Sequence, residues 1–553
     1  MRFSKNSILV LVSNKKSALY LKSFFKQIGI QHIVICPGSR NLPLIVNFSN
    51  DNYFKTYSLI DERVAGFFAL GIAKALKRPV AVLTTSGSAA INLAPAMAEA
   101  YYQRLPLIAI TADRPTHFVN KGENQTIIQR GLFFNYIGLE LEIEEKIDFE
   151  TFENKIQELF RYLSNPNLSA NVHINLPFSE PLDKVENILG EFQLNLKPNR
   201  NKINPISAPQ LKIKNRQNVI FYISTNIVNS ELNEILDRGV KENYWVVISE
   251  MQSGWYNEDC ISQIDLILSR DKDVQQPDIL ITIGEAMLSK KFRNYIKTHE
   301  ELLHYDISAY PRHWNNLSTH YQNINPDYTE LYSLLNLTNS IEFQASWISA
   351  EKRALDYQSS CHKELTYLEI NLIHRMVNTI DQDSIIYWGN SSAVRYGNWS
   401  NWKNKPSIIH QTNRGVAGIE GVLATAIGNQ SISKYESFYC ILGDVSLLYE
   451  TNSLAAAVYI DHIKIIVINN HGGKIFEQIH NSQTLGKMDA LTTPHNQDFR
   501  KLANLFDLEY FNAYDLRSFT SQWELVKAHQ GKLIFEINIS ENEVGKWKDY
   551  FDI

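Results

Sequence analysis

Asp444 and Asn470 stand 26 positions apart, and each closes an apolar, β-branched run: Phe438-Tyr-Cys-Ile-Leu-Gly443-Asp444 and Ile463-Lys-Ile-Ile-Val-Ile-Asn469-Asn470-His-Gly472-Gly473. Runs of this kind read as buried parallel strands, so each polar tip is expected at a carboxyl edge, where open α/β sheets bind ligands. A carboxylate, a carboxamide and a glycine-exposed carbonyl are hard oxygen donors suited to Mg²⁺, which completes its shell with phosphate oxygens and water. The pair outlines a site for a metal and a diphosphate. Taken singly, Gly-Asp and Asn-Asn are turns that close strands.

A second acid stands at a similar place. Glu62 follows Tyr57-Ser-Leu-Ile-Asp61 and opens an Ala/Leu-rich helix. It either complements the helix N-terminus, where acids gain about 0.3–1 kcal/mol, or presents a carboxylate to a ligand at the sheet edge. Arg40, Arg114, Arg395 and Arg414 each lie beside a glycine, proline or polar turn of the kind that borders a site.

The elements that must carry these groups alternate. Ile33 to Cys36, a helix from Glu62 to Leu76, Val80 to Thr84, a helix from Ala89 to Gln103 and Leu107 to Thr111 give βαβ units with right-handed crossovers. The Asn-, Lys- and Pro-rich stretch from Leu194 to Arg216 reads as a linker. Strands at Val219 to Ile223, Trp245 to Ile248 and Ile279 to Ile283 make a second α/β segment without a G-x-G-x-x-G fingerprint. A weakly apolar passage near Asn323 to Ser346 leads to the third segment, which holds Asp444 to Gly473. The expected fold class is α/β, three domains, each a mainly parallel sheet flanked by helices, over 1–190, 200–340 and 347–553.

Seven motifs then carry a resemblance: Cys36-Pro-Gly-Ser-Arg40-Asn, Asp61-Glu-Arg-Val-Ala-Gly-Phe-Phe-Ala-Leu-Gly71, Thr85-Ser-Gly-Ser-Ala89, Thr111-Ala-Asp-Arg-Pro115, Gly389-Asn-Ser391, Asn413-Arg-Gly415 and Asn469-Asn-His-Gly-Gly-Lys-Ile-Phe476. In this order, across nearly the whole chain, they resemble the 2-succinyl-5-enolpyruvyl-6-hydroxy-3-cyclohexene-1-carboxylate synthase family of thiamine diphosphate enzymes. The resemblance implies decarboxylation of 2-oxoglutarate and addition of the succinyl carbanion equivalent to isochorismate, without release of pyruvate, in menaquinone biosynthesis. It implies a transferase with thiamine diphosphate and Mg²⁺ or Mn²⁺, active as a homodimer or homotetramer with sites at the subunit interface.

Residue by residue, the resemblance makes Asp444, Asn470 and the Gly472 carbonyl the metal ligands. Gly443 and Ser446 approach the diphosphate, and Ile419 is the apolar wedge under the bent cofactor, although an isoleucine is more often plain core. Glu62 would hydrogen-bond the aminopyrimidine and favour its imino tautomer. Ser39, Arg40, Arg114, Gln125, Lys290, Ser391, Arg395 and Arg414 would line the substrate pocket, walled by Ile475 and Phe476. Gln125, Ser391 and Arg395 join Glu62 among the catalytic groups. Guanidinium forks suit multiply charged carboxylates because they bind bidentately and stay charged. Lys291 stands where many relatives carry arginine, and Val445 where the broader thiamine motif has glycine.

The bulk numbers fit an ordinary globular enzyme. The chain has 553 residues, 44% hydrophobic and 20% charged, with a net charge of −5, which argues against a generic nucleic-acid or anionic-membrane surface. Its apolar runs are too short for a membrane span or signal-peptide core, so a cytoplasmic location is expected. Cys36, Cys260, Cys361 and Cys440 form no Cys-x-x-Cys pair, and His471 reads as structural, without a partner histidine. The rival readings are another 2-oxoacid-using thiamine enzyme, of the acetohydroxyacid synthase or decarboxylase type, and an inactive cofactor-binding scaffold.

Overall fold

The structure, a computed structural model, describes residues 9–164, 171–189, 192–197, 217–225, 230–271, 274–284, 287–299, 301–307, 320–324, 331, 341–363, 367–479, 488–540 and 551. Most of the expected linker, and of the passage between Asn323 and Ser346, lies outside the described residues. The chain forms two compact units. One joins Met1–Ile203 to Asn413–Lys434 and Glu450–Asp461; the other holds Asn204–Thr412, Tyr435–Tyr449 and His462–Ile553.

In the first unit the strands are β1 (Leu9–Ser13), β2 (His32–Ile35), β3 (Lys55–Ser58), β4 (Val80–Thr84), β5 (Leu107–Asp113), β6 (Leu139–Glu142), β7 (Val172–Pro177) and β8 (Val185–Leu189). Six form a parallel sheet in the order β3-β2-β4-β5-β7-β6, while β1 and β8 pair as an antiparallel ribbon. Every residue of β4 and β5 is buried. Their mostly apolar runs are those of strands covered on both faces.

The second unit contains two parallel sheets. In one, β9 (Val219–Ile223), β10 (Val246–Ser249), β11 (Ile279–Ile283), β12 (Leu303–Ile307) and β13 (His320–Ile324) take the order β10-β9-β11-β12-β13. In the other, β14 (Ile385–Trp388), β15 (Ile409–Thr412), β16 (Phe438–Gly443), β17 (Ile463–Asn469), β18 (Glu509–Ala513) and β19 (Lys532–Asn538) take the order β15-β14-β16-β17-β19-β18. The two six-stranded sheets therefore share one topology. Among the described residues no helix is long and apolar enough to cross a membrane.

Two elements depart from the sequence reading by more than a single residue. The helix expected over Ala89 to Gln103 is two helices, Ser88–Ile91 and Ala94–Gln103. Pro95 explains the break: it lacks the N–H an uninterrupted helix needs and its ring clashes with the preceding turn, but it suits a first turn. Strand β5 runs on to Asp113, which carries the Thr-Ala-Asp motif inside the sheet.

Glu62–Leu76 folds as a helix because it is rich in the strong helix formers Ala and Leu and Asp61 caps it, accepting from Arg63 N and Val64 N; Val64 to Ala73 are buried on every side. It packs on the helix Val422–Gln430 of the same unit through glycines on both partners. A Cβ on Gly71 would lie 2.1 Å from the Thr425 carbonyl oxygen, and one on Gly428 would lie 2.0 Å from that of Phe68. Gly71→Ala should therefore force the pair apart and cost about 1–3 kcal/mol. Thermal melting should show a lowered midpoint; an unchanged one contradicts the close approach.

Candidate functional site

Strands β16 and β17 are neighbours, with Gly443 opposite Ile468, so Asp444 and Asn470 emerge together at one carboxyl edge. Asp444 begins the helix Asp444–Tyr449 and is 2% exposed. Its Oδ1 accepts from Val445 N at 2.7 Å and its Oδ2 from Gly472 N at 2.9 Å, with His495 Nε2 at 3.2 Å from Oδ2. Burial pushes the carboxyl above its ordinary range, while those N–H groups and the nearby histidines pull the other way.

Asn470 is oriented from behind. Its Nδ2 donates to Glu369 Oε1 at 2.9 Å, and Glu369 Oε2 accepts from Tyr396 Oη at 2.5 Å. That leaves Asn470 Oδ1 buried without a hydrogen-bond partner. Gly472 has φ 145°, and a Cβ there would meet the Thr492 carbonyl oxygen at 2.7 Å, so only glycine fits the turn. Its carbonyl accepts from Lys474 N at 2.8 Å, which uses one of two lone pairs. Beside Gly443 a Cβ would meet nothing within 4 Å, and Ser446 is buried on the helix that follows. An orphaned buried oxygen, a buried carboxylate and open space at a glycine fit a hard dication carrying a diphosphate. Among the described residues no group of three or more His, Cys, Asp or Glu is placed to hold a metal, so this donor set relies on oxygen and a single acid.

The same unit gathers candidate anion ligands. Ser391, at φ 71°, precedes the helix Ser392–Trp399, and Arg395 one turn on donates Nη1 to the Ser391 carbonyl at 2.5 Å. Burial pulls the Arg395 guanidinium below its ordinary value, against the pull of Asp265. Lys290 and Lys291 open the helix Lys290–Lys297, whose cap Ser289 accepts from Phe292 N at 3.0 Å. Cations in a first turn oppose the helix dipole, which is a local cost. Lys290 is exposed. Lys291, in contrast, bonds Ser269 Oγ, lies 4.9 Å from the centre of the Phe551 ring and also feels Asp265. Lys291 and Arg395 thus share one buried acid. Ile475 and Phe476, half-buried, open the short helix after Gly472-Gly473.

In the first unit Asp61 takes the capping role itself, at 2.9 Å from Arg63 N and 3.2 Å from Val64 N. Glu62 is left half-buried and uncommitted to the cap. It lies close to Cys36, whose thiol is pushed up by burial and then by the charges of Glu62 and Asp61. A Cβ on Gly38 would stand 2.4 Å from Thr85 Cβ, so the Pro-Gly-Ser-Arg loop rests directly on the Thr-Ser-Gly-Ser loop. Ser39 there is exposed. Arg40 is buried, giving Nη1 to the Phe178 carbonyl and Nη2 to Glu180 Oε1, both at 2.9 Å. Arg114 Nε donates to the Asn124 carbonyl at 2.9 Å, and Gln125 is exposed at φ 53°. Arg414 and Ile419 are half-buried.

Sequence reasoning missed the groups that brace this machinery. Glu369 behind Asn470 and His495 beside Asp444 are two. Gln129 is a third: its Oε1 accepts from Gly87 N at 2.9 Å, and its Nε2 donates to the Ala112 carbonyl at 3.2 Å and to Asn175 Oδ1 at 2.8 Å. Pro494-His495 tempts an acid/base assignment from the sequence, but nothing in the spacing ties it to Asp444 or marks the other two.

Comparison with known proteins places the chain among thiamine pyrophosphate enzymes. Residues 16–132 match the model of the thiamine pyrophosphate enzyme N-terminal TPP binding domain, and residues 391–536 that of the C-terminal TPP binding domain. The chain is 31% identical to the 2-succinyl-5-enolpyruvyl-6-hydroxy-3-cyclohexene-1-carboxylate synthase of Flavobacterium johnsoniae, over 90% of this chain and 91% of that one. It is 31% identical to the synthase of the same name from Christiangramia forsetii over 88% and 89%, respectively. The one from Desulfotalea psychrophila is 28% identical over 92% and 95%.

If Asp444 is a metal ligand, Asp444→Ala removes the one anionic donor of the set. Calorimetry at fixed Mg²⁺ should show thiamine diphosphate affinity falling by more than the roughly 10–100-fold typical of losing an outer-shell partner, with excess Mg²⁺ restoring it only in part. Unchanged binding contradicts the metal role.

Proposed function

The chain belongs to the 2-succinyl-5-enolpyruvyl-6-hydroxy-3-cyclohexene-1-carboxylate synthase family, and from that premise we propose that it decarboxylates 2-oxoglutarate and joins the succinyl unit to isochorismate, without release of pyruvate, in menaquinone biosynthesis. The observation that carries the reading is the buried, partnerless Asn470 Oδ1 beside Asp444 at the β16–β17 edge. Asp444, Asn470 and the Gly472 carbonyl would hold Mg²⁺ or Mn²⁺, with Gly443 and Ser446 against the diphosphate and Ile419 under the cofactor. Bound thiamine diphosphate would supply the electron sink for decarboxylation.

The chain's own groups do the rest. Glu62, released from capping by Asp61, holds a proton at the aminopyrimidine ring nitrogen. Arg395, braced by the Ser391 carbonyl, and Arg114, braced by the Asn124 carbonyl, offer fixed forks to substrate carboxylates, joined by Arg414, Lys290, Ser39, Ser391 and Gln125. Arg40 already pairs with Glu180, which is 68% exposed on its side chain and so is cheap to displace by a substrate carboxylate. Ile475 and Phe476 wall off water. The reading takes 1–190, 200–340 and 347–553 as the three domains and a cytoplasmic homodimer or homotetramer, with active sites at the subunit interface, as the working form.

The test is CO₂ release by the protein with thiamine diphosphate and Mg²⁺. The wild type should prefer 2-oxoglutarate to pyruvate, and Glu62→Gln should bind the cofactor yet lose roughly 10²–10⁴ of the turnover, the scale of a lost acid–base group. A preference for pyruvate, or near-normal turnover by the folded, loaded variant, defeats the reading.

A further inference from the structure

Glu99 is a carboxylate that the chemistry above leaves unused. It sits in the helix Ala94–Gln103 and is 3% exposed. Its Oε1 accepts from Gly415 N at 2.7 Å and its Oε2 from Val416 N at 2.6 Å. These are the two amides that follow Arg414. Gln103, one turn along the helix, donates Nε2 to Glu99 Oε1 at 2.5 Å and reaches Asn413 Oδ1 at 3.4 Å. Lys74 Nζ donates in turn to Gln103 Oε1 at 3.1 Å.

The other side of the loop is held as well. Asn413 Nδ2 donates to the Gly421 carbonyl at 3.2 Å and to Thr425 Oγ1 at 2.9 Å. At the contact itself, a Cβ on Gly415 would lie 2.7 Å from the Glu99 carbonyl oxygen and 3.0 Å from Tyr102 Cβ. The start of the 413–421 loop is thus held against the helix at Asn413, Gly415 and Val416, and Asn413 ties its two ends together, with Arg414 and Ile419 between.

Burying an ionised carboxylate is expensive, and two short charge-assisted bonds from consecutive amides offset that cost only in one loop conformation. A guanidinium that must meet a carboxylate in a forked geometry needs its main chain fixed, because a misplacement of about 1 Å can cost on the order of 10²-fold. We propose that Glu99 is a positioning residue: its carboxylate clamps the Gly415 and Val416 amides and so aims Arg414 at a carboxylate substrate. The inference rests on the reading of Arg414 as a substrate ligand.

A double-mutant cycle tests it. Glu99→Gln replaces one acceptor oxygen with a donor that faces an N–H. Alone, it should raise KM for 2-oxoglutarate or isochorismate by roughly tenfold to a hundredfold, while thiamine diphosphate affinity by calorimetry stays within about twofold. In an Arg414→Ala background the same change should add no more than about twofold. Gly415→Ala, which intrudes on the same contact, should reproduce the KM pattern and serves if Glu99→Gln does not fold. Multiplying losses in the double variant, an unchanged KM in the folded variants, or equal loss of cofactor and substrate binding would overturn the proposal and leave Arg414 untouched. Wild-type constants for Arg414→Ala alone would instead refute the Arg414 assignment, and the proposal with it.

Discussion

The hydrogen bond from Gly472 N to Asp444 Oδ2 joins the ends of two parallel strands and decides the rest of the arrangement. Because β16 and β17 are neighbours in register, a carboxylate at the end of one and a carboxamide after the other must share an edge. Parallel pairing also sends both chains onward on the same side, one into a helix and one into the Gly472 turn. Among the described residues the buried Asp444 carboxylate has only histidines as nearby cationic groups, His495 at 3.2 Å and His471, which leaves its burial expensive, and the Asn470 oxygen has no protein partner. Both costs fall away if a dication sits against them. This is why the edge reads as a ligand site rather than as a pair of turns.

Elsewhere the fold uses buried acids as clamps on loop backbone. Glu250 accepts from Leu288 N at 2.6 Å and Ser289 N at 3.0 Å, immediately before Lys290. Glu450 accepts from Val422, Leu423 and Ala424 N, just after the loop that carries Arg414 and Ile419. Burial pushes the Glu450 carboxyl up to about 7, against the pull of those three N–H groups. Glu99 belongs to the same pattern. Carboxylates that bond consecutive amides convert a flexible connection into a defined one, and here the defined connections bear the candidate cations.

Much of this was legible in the sequence for identifiable reasons. The helix from Glu62 to Leu76 and the strands Val80 to Thr84, Val219 to Ile223 and Ile279 to Ile283 have the expected bounds, because apolar periodicity and caps are local signals. The Asp444–Asn470 spacing was legible because strand neighbours convert a sequence interval into a spatial one. The break before Ala94 was missed where a run of alanines outweighed Pro95. Glu369, Gln129, Asp265 and Glu99 were not legible: each works through a partner distant in sequence, and a lone acid or amide in a helix or loop looks like any solvated one. Arg40 was legible as a cation, but its bonds to the Phe178 carbonyl and Glu180 depend on a loop far along the chain.

The proposed function is a single carboligation. Mass-spectrometric product analysis after mixing the protein with thiamine diphosphate, Mg²⁺, 2-oxoglutarate and isochorismate tests it most directly. The proposed function predicts a single adduct that contains the succinyl unit and the intact enolpyruvyl side chain, with one CO₂ released per adduct. Decarboxylation of 2-oxoglutarate without such an adduct, or an adduct built from pyruvate, would contradict it.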